Sequence, residues 1–264
     1  MNDTAAVFAP DLLRGRTALV TGGGTGICRG IALTLARHGC DVAITSRRAE
    51  HLTPTVSELQ ALGRRALALP ADVRNADAMA AVVAEIAAAW GRLDLLVNGA
   101  AGNFLCLAEN LSPNGFGTVV DIDLKGTFHA CKASFPYLRD TRGSILNISA
   151  TLHYGGTAYQ LHVSAAKAGV DALTRNLAVE WGPYGIRVNG LAPGPTQGTE
   201  GARRLVVGEM AQRLTTRTPL KRLGVIDDVS SAALFLCSDA AQFINGVTLV
   251  VDGGLSLLGS RLAD

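Results

Sequence analysis

Residues 17–27 read Thr-Ala-Leu-Val-Thr-Gly-Gly-Gly-Thr-Gly-Ile, and this stretch decides the fold. Its first half is a short apolar run typical of a buried strand, and a helical pattern begins at Ile27. Glycines between a strand and a helix let the backbone turn tightly and approach a pyrophosphate at the positive helix end. We therefore predict a dinucleotide site formed by Gly22, Gly24, Thr25, Gly26 and Ile27. A purely structural turn is the alternative, because a glycine-rich turn alone is a weak signal.

Strand-like and helix-like segments alternate along the rest of the chain. The patterns predict strands over residues 17–21, 42–45, 66–69, 93–98, 144–149, 187–191 and 247–251, and helices over residues 27–38, 50–62, 76–90, 163–181, 227–236 and within 113–138. This alternation indicates a parallel sheet covered by helices on both faces. We therefore expect an α/β fold, a single Rossmann-type doubly wound domain over residues 1–264 with seven parallel strands. Residues 14–110 would bind the cofactor, and residues 111–264 would bind substrate and carry catalysis.

The composition limits the possible partners and compartments. The 264 residues are 48% hydrophobic with a net charge of +2, and the basic residues are dispersed, so we expect no nucleic-acid partner. No apolar run approaches the roughly 18 residues that span a bilayer, and the first residues do not resemble a secretory signal. Five cysteines without a C-x-x-C pair indicate reduced thiols, and we predict no metal site. The last tripeptide is not a peroxisomal address of the S-K-L type, which favours the cytoplasm, with an organelle matrix as the alternative.

The end of the second predicted strand indicates which nicotinamide cofactor would bind. An acidic residue usually stands here to bind the ribose diol of NAD, but this chain has Thr45-Ser46-Arg47-Arg48. Ser46 and Arg47 suit a 2′-phosphate, which an arginine binds through charge-assisted hydrogen bonds. We therefore predict NADPH. The alternative is that both arginines are solvated residues at a strand end.

Several further motifs lie at the ends of predicted strands. They are Asp72-Val73, Asn98-Gly99-Ala100-Ala101-Gly102 and Pro193-Gly194-Pro195-Thr196, and a lysine, Lys167, lies on a predicted helix. Together with the glycine-rich turn they resemble the short-chain dehydrogenase/reductase family from end to end. The resemblance implies a homotetramer and cofactor contacts at Asp72, Val73, Asn98, Ala100, Lys167, Pro193, Gly194 and Thr196. The chain departs from the family's T-G-x-x-x-G-x-G at Cys28, where we expect a tolerated packing change.

The family's catalytic tetrad is Asn, Ser, Tyr and Lys, and only the lysine is kept. By position, Asp123 replaces the asparagine, Ala150 the serine and Val163 the tyrosine, although Ser149 is adjacent to the serine position. In ketone reduction a proton donor must face the oxygen beside the carbon that receives hydride. In reduction of a conjugated thioester, hydride goes to a remote carbon, and protonation occurs nearer the thioester. Apolar Val163 and small Ala150 would then suit a hydrocarbon chain.

Two longer strings carry a closer resemblance. Residues 100–106 read A-A-G-N-F-L-C, and residues 192–201 read A-P-G-P-T-Q-G-T-E-G. With Asp121-Ile122-Asp123 they resemble the 2,4-dienoyl-CoA reductases, the peroxisomal type more than the mitochondrial type, whose relocated tyrosine would fall at Leu152. The resemblance implies an enzyme that uses NADPH to reduce 2,4-dienoyl-CoA to 3-enoyl-CoA during β-oxidation of unsaturated fatty acids. We expect substrate contacts from Asn103, Phe104, Ala150, Tyr159 and Val163.

The predicted mechanism depends on Lys167 and Asp123. Lys167 would orient the nicotinamide ribose, and Asp123 would bind Lys167 or a water that protonates the substrate, while Asn103 would stabilise the thioester oxygen. Alternatively, Asp123 is only a structural ion-pair partner of the lysine. Two other functions stay open: reduction of another enoyl or carbonyl substrate with an acid from the loop that carries Tyr154, Tyr159 and His162, and a catalytically silent nucleotide-binding scaffold. The region near Arg203, Arg204, Lys221 and Arg222 is the candidate for binding CoA phosphates.

Overall fold

The computed structural model describes residues 7–199 and 208–258. Seven strands form one parallel sheet in the order β3-β2-β1-β4-β5-β6-β7. The strands are β1 (Thr17–Thr21), β2 (Asp41–Ser46), β3 (Ala66–Pro70), β4 (Leu95–Asn98), β5 (Ser144–Ile148), β6 (Arg187–Pro193) and β7 (Thr248–Val251). The predicted fold class is therefore confirmed.

The described helices connect the strands and cover both faces of the sheet. They are α1 (Gly26–Arg37), α2 (Ala49–Ala61), α3 (Ala76–Trp90), α4 (Pro113–Val120), α5 (Gly126–Thr141), α6 (Leu161–Trp181), α7 (Glu209–Arg217) and α8 (Ile226–Cys237). Single 3₁₀ turns lie at Ala108–Asn110, Gly182–Tyr184, Asp239–Ala241 and Leu255–Leu257. None of these described helices is long and apolar enough to cross a membrane.

Two apolar cores lie on opposite faces of the sheet. Val20 of β1 packs in the first core with side chains from α1, α2 and α8. The neighbouring Leu19 packs in the second core with side chains from α3, α5 and α6. Successive side chains of a strand point to opposite faces, and both faces are covered here. This explains why β1 is fully buried and reads as a continuous apolar run.

The helix predicted within residues 113–138 has an interruption that the sequence pattern did not indicate. Between α4 and α5 the chain forms one wider turn, the π turn Asp121–Lys125, and α5 then continues to Thr141. Other differences are small: β4 begins at Leu95 rather than at residue 93, and α6 begins at Leu161 rather than at residue 163. The element types and their order agree with the prediction.

The strand order locates the crevice in which a ligand can bind. Chain connections lead from β1 outward through β2 to β3, and then return to β4 on the other side of β1. In open parallel sheets the crevice lies outside the carboxyl ends of the strands at this switch point. The glycine-rich turn follows β1 and the Asn98–Gly102 segment follows β4, so both lie at this crevice.

Candidate active site

The glycine-rich turn after β1 has no room for side chains. Gly22 has a φ of +70°, and a Cβ there would lie 2.9 Å from the Gly99 carbonyl oxygen. At Gly24 a Cβ would lie 2.5 Å from the carbonyl oxygen of His51 in α2. The turn is therefore pressed between two backbone segments, and its own backbone forms the surface that a ligand would meet.

The first turn of α1 has the properties of a pyrophosphate site. Its N-cap, Thr25, forms no side-chain capping bond, and no acidic residue stands in the first turn. The first N–H groups of a helix have no intrahelical partner, and the helix dipole makes this end positive. These features, with the bare glycine turn, fit a dinucleotide.

Cys28 fits beside the glycine-rich turn because the facing residue is a glycine. Its side chain is 5% exposed, and a Cβ built on Gly99 would lie only 2.0 Å from the Cys28 sulfur. Burial raises the pKa of the Cys28 thiol to about 12, so the thiol stays neutral near pH 7. Gly99 has no side chain and therefore leaves room for Cys28, the residue that replaces the last glycine of the family motif.

The end of β2 presents basic residues without an acidic ribose ligand. Ser46 is half-buried and donates a hydrogen bond to the Arg48 carbonyl (3.0 Å), while Arg47 is exposed and forms no ion pair within the part of the chain that the structure describes. Asp72, whose carboxylate interacts electrostatically with Arg47, forms an ion pair with Arg74 at 2.6 Å. The Arg74 hydrogen bond lowers the pKa of Asp72. Arg47 is thus left available for an anion.

The predicted cofactor residues Asn98 and Ala100 both form hydrogen bonds within the protein. Thr21 accepts hydrogen bonds at its hydroxyl from the N–H groups of Gly99 and Ala100 (3.0 and 3.2 Å), which holds the turn after β4 against the turn after β1. The Asn98 amide instead donates to the Asn147 side chain at 2.9 Å and is buried. Its side-chain nitrogen is therefore already used, while its Oδ1 is buried without a partner among the described residues.

Three further predicted cofactor residues are held in place by close packing or by a hydrogen bond within the protein. Val73 is buried against Gly126, where a Cβ would lie 2.6 Å from the valine. Gly194, directly after β6, has equally little room, because a Cβ would lie 2.6 Å from Asp252. Thr196 is buried and donates its hydroxyl to the Gly194 carbonyl at 2.9 Å. The Pro193–Thr196 segment is therefore held rigidly at the crevice.

The centre of the site is a buried ion pair between Asp123 and Lys167. The Lys167 Nζ lies 3.2 Å from Asp123 Oδ2 and donates to the Ile148 carbonyl at 2.9 Å. The Gly102 N–H donates to Asp123 Oδ1 at 2.7 Å. The two side chains are 7% and 0% exposed, so the charges attract each other in a poorly solvated environment. Through these contacts the pair connects the loop after β4 and the end of β5 to the π turn and to α6.

The π turn places Asp123 in this pair. π turns occur mostly as single turns within α-helices and often at functional sites. Asp123 lies in the middle of the turn, and its carbonyl accepts a hydrogen bond from the Thr127 hydroxyl at 2.6 Å. Opposite it, Gly169 of α6 lets the turn approach, because a Cβ there would lie 2.8 Å from Leu124. Close packing of α6 on the π turn thus sets the distance from Asp123 to Lys167.

The resemblance would place a tyrosine at residue 163 or at residue 152. This chain has no phenol at either position. Val163 is 4% exposed and packs in a small apolar cluster with Val119 and Ala166, and Leu152 packs against the same cluster. Ala150 is the second residue after β5 and is half-buried. Both tyrosine positions therefore carry apolar side chains, and the serine position carries a methyl group.

The loop before α6 places the remaining candidate residues in different environments. Tyr154 and Tyr159 are 45% and 51% exposed. Burial and the nearby Asp171 raise the pKa of Tyr154, which makes it a weaker proton donor. Tyr159 has a φ of +66°, and its carbonyl accepts a hydrogen bond from the Cys106 N–H at 2.9 Å. This bond joins the loop before α6 to the loop after β4.

The loop after β4 carries the other predicted substrate residues. Asn103 is exposed, and its amide donates to the Gln160 side chain at 3.4 Å. Phe104 is 40% exposed and lies against the ring of His162, with ring centroids 4.3 Å apart. His162 is fully buried, and neither of its ring nitrogens has a hydrogen-bond partner. An unpaired buried polar group costs about 1–3 kcal/mol of stability.

Sequence reasoning missed three features of the site. They are the π turn, the fit between Cys28 and Gly99, and the burial of the His162 ring without a partner. Each depends on residues far apart in sequence, and only the last had a weak signal, a histidine one position before the tyrosine slot.

The candidate CoA region is only partly described. Glu200, Gly201, Arg203 and Arg204 lie outside the described residues. Lys221 donates to the Thr216 carbonyl at 2.7 Å, and Arg222 forms a bidentate ion pair with Asp228. These two cations therefore have partners already. No group of three or more His, Cys, Asp or Glu side chains suited to a metal ion occurs among the described residues.

The fold and the site define the protein as a Rossmann-type oxidoreductase with a nicotinamide dinucleotide site. A family model described as enoyl-(acyl carrier protein) reductase matches residues 22–256. The peroxisomal 2,4-dienoyl-CoA reductases of Arabidopsis thaliana and Danio rerio are 51% and 48% identical to the chain, covering 96% and 99% of it and 89% and 88% of the relatives. The chain belongs to the short-chain dehydrogenase/reductase family.

A solved structure supports the same assignment. The gluconate 5-dehydrogenase from Burkholderia cenocepacia, in complex with NADP and tartrate, has a TM-score of 0.89 and 32% sequence identity. The similarity covers 95% of this chain and 99% of that one. That structural relative therefore binds a nicotinamide cofactor on the same fold.

The contact between Cys28 and Gly99 can be tested by a double substitution. Gly99→Ala alone should lower the free energy of unfolding by about 1–3 kcal/mol and weaken cofactor binding, because its methyl group overlaps the Cys28 sulfur. Combining it with Cys28→Ala should recover most of both losses, giving an interaction energy of about 0.5–3 kcal/mol. Urea unfolding and cofactor titration measure the two effects. Strictly additive losses in the double variant would show that the two residues do not oppose each other.

Proposed function

We propose that this enzyme uses NADPH to reduce 2,4-dienoyl-CoA to 3-enoyl-CoA, supporting β-oxidation of unsaturated fatty acids. The observation that carries the proposal is the buried ion pair between Lys167 and Asp123, together with the apolar Val163 at the position where a ketone reductase has a phenol. The relatives from Arabidopsis thaliana and Danio rerio are 2,4-dienoyl-CoA reductases, which supports a dienoyl-CoA substrate for this chain.

The residues at the crevice fit NADPH. Gly22, Gly24, Thr25, Gly26 and Ile27 would hold the pyrophosphate, and Ser46 with Arg47 would bind the 2′-phosphate. Asp72 and Val73 would contact adenine, while Asn98, Ala100, Pro193, Gly194 and Thr196 would border the nicotinamide half. When bound, this cofactor supplies a hydride to the δ-carbon of the conjugated diene. Lys167 would hold the nicotinamide ribose.

Conjugate reduction explains the apolar residues at the tyrosine and serine positions. Hydride addition at the δ-carbon moves the electrons of both double bonds toward the thioester oxygen, where negative charge develops. The carbon that receives hydride carries no oxygen, so no proton donor is needed beside it. Val163 and Ala150 then form an apolar wall for the acyl chain, with Phe104 and Tyr159 at its outer side.

The proton must reach the α-carbon, and in this proposal the ion pair supplies it through a water. In the proposed step the Asp123 carboxylate and the Lys167 ammonium hold a water molecule, which gives a proton to the α-carbon as the thioester C=O re-forms. The hydroxide that remains takes a proton from the Lys167 ammonium, and the lysine regains one from solvent. The remaining double bond lies between the β- and γ-carbons, as in a 3-enoyl thioester. The burial of Asp123 supports this role, because hydrogen bonds to a charged group strengthen as water is excluded.

The quaternary structure, compartment and domain division belong to the same proposal. In α6, Ala165 and Ala168 are exposed, and Ala172 and Leu173 are partly exposed. Such an apolar surface suits packing against a second copy, which supports the homotetramer implied by the family. We propose a cytoplasmic enzyme with a cofactor-binding half over residues 14–110 and a catalytic half over residues 111–264.

The first test is a comparison of substrates. We expect oxidation of NADPH with 2,4-hexadienoyl-CoA and none with acetoacetyl-CoA or a simple aldehyde, with the product double bond between carbons 3 and 4. Absorbance of NADPH and mass or NMR analysis of the product give the result. Turnover of the ketone would favour an acid from the loop at residues 154–162, and silence with all three would favour a nucleotide-binding scaffold.

The role of the Asp123 carboxylate can be separated from its packing. Asp123→Asn keeps the side-chain size and an acceptor for the Gly102 N–H, but it removes the charge. We expect turnover of 2,4-hexadienoyl-CoA to fall about 100-fold or more with little change in fold. Asp121→Asn is the matched control, because Asp121 forms an ion pair with Lys125 on the exposed side of the same turn. Full turnover by Asp123→Asn would remove the carboxylate from the mechanism.

Cofactor choice can be measured at the end of β2. Arg47→Ala should raise the Kd for NADPH about 10- to 100-fold and leave the Kd for NADH nearly unchanged, because a charged hydrogen bond to the 2′-phosphate contributes about 1.5–3 kcal/mol. Arg48→Ala, one residue along, is the control and should alter neither value. Fluorescence titration reports both constants. Equal weakening of both cofactors by Arg47→Ala would contradict 2′-phosphate recognition.

A further inference from the structure

Among the described residues, His162 differs from the other histidines that are buried or partly buried. His38, His129 and His153 each use a ring nitrogen in a hydrogen bond, with the Thr34 carbonyl, the Val73 carbonyl and the Asp171 carboxylate as partners. His162 is 0% exposed and uses neither nitrogen. Most buried polar side chains in native proteins are paired, so an unpaired one points to a functional partner.

His162 lies beside two residues that we propose to contact the substrate, Phe104 and Val163. It precedes Val163, which occupies the position of the tyrosine in ketone reductases. Its ring stacks on Phe104 from the loop after β4 at an interplanar angle of 31°. Phe104 in turn lies against α4, with its ring tip 3.3 Å from the place of a Cβ on Gly115. The Phe104 ring therefore lies between Gly115 of α4 and the His162 ring of α6.

The start of α6 adds a second feature that favours a negatively charged oxygen. Gln160 at the N-cap forms no side-chain capping bond, and the first turn contains no acidic residue. The Ser164 hydroxyl, in the same turn, is also buried without a partner. This helix has 21 residues, so its first turn carries unpaired N–H groups and the positive end of a full helix dipole.

We infer that His162 donates a hydrogen bond to the thioester oxygen of the substrate, beside the first turn of α6. The inference rests on the proposed function and assigns the donor that conjugate reduction requires. As hydride adds to the δ-carbon, the electrons of the two double bonds move by one bond each, and the carbonyl electrons move onto oxygen. His162 keeps its proton throughout: its hydrogen bond strengthens as charge develops and weakens again when the α-carbon is protonated.

His162 fits this role better than the residue expected from the sequence. Asn103 is exposed, and its amide already donates to Gln160. A donor to a developing negative charge is most effective when it is fixed and shielded from water. The buried, stacked ring of His162 meets both conditions, which makes it a catalytic residue in this scheme and leaves Asn103 at the edge of the site.

The test uses two variants of similar size. His162→Phe keeps an aromatic ring against Phe104 but removes both nitrogens, and His162→Gln keeps an N–H donor. We expect His162→Phe to be at least as stable as the parent to heat, because it removes an unpaired buried group, yet to lower kcat with 2,4-hexadienoyl-CoA by about 100- to 1000-fold with a small change in KM. His162→Gln should stay within about tenfold of the parent.

A second readout does not depend on turnover. Mixed with the enzyme and NADP⁺, 2,4-hexadienoyl-CoA should show a red shift of its ultraviolet absorption, since a donor at the thioester oxygen draws electrons along the conjugated system. The shift should persist in His162→Gln and disappear in His162→Phe. If His162→Phe does not fold, the folded variant His162→Leu takes its place, and it too should lose the shift.

The outcomes separate this inference from the proposed function. Normal kcat and a normal red shift in His162→Phe or His162→Leu would overturn the role of His162 while leaving dienoyl-CoA reduction intact. If the parent enzyme reduces no dienoyl-CoA but shows a red shift that depends on His162, the proposed function fails, and the thioester contact stands.

Discussion

The ion pair between Asp123 and Lys167 is the interaction on which the arrangement of the site depends. Burying two charges is unfavourable unless they meet each other and further hydrogen-bond partners. Here Gly102 donates to the carboxylate, and the Ile148 carbonyl accepts from the ammonium. The pair therefore ties together the loop after β4, the end of β5, the π turn and α6.

The geometry of that pair follows from backbone packing as much as from charge. A π turn inserts an extra residue into a helix that would otherwise continue, and Gly169 allows α6 to lie directly against it. The same packing leaves Val163 and Leu152 in one apolar cluster next to the lysine. A buried carboxylate and an apolar wall thus share one surface. This combination suits a substrate whose charge develops several bonds away from the carbon that receives hydride.

Local pattern was enough to predict the fold and the position of the cofactor crevice. The apolar run of β1 and the glycines after it specify a strand, a tight turn and a helix without reference to the rest of the chain. Lys167 and Asp123 were identified through the resemblance to the catalytic tetrad of the short-chain dehydrogenase/reductase family. The π turn could not be predicted, because it depends on packing between α6 and residues more than 40 positions earlier in the chain. The same holds for Cys28, whose fit depends on Gly99, and for His162, whose burial depends on Phe104.

Burial of Cys28 has a counterpart at Cys40, Cys131 and Cys237, all of which are buried with raised pKa values. Thiols react with peroxide and with alkylating reagents as thiolates, and a shielded neutral thiol is nearly inert. Cys106 is the only cysteine that is partly exposed. It lies two residues after Phe104, where its N–H bonds to Tyr159. A reagent added to the folded enzyme would therefore modify the substrate loop first, and a fluorophore attached there would report on that loop without any engineered cysteine.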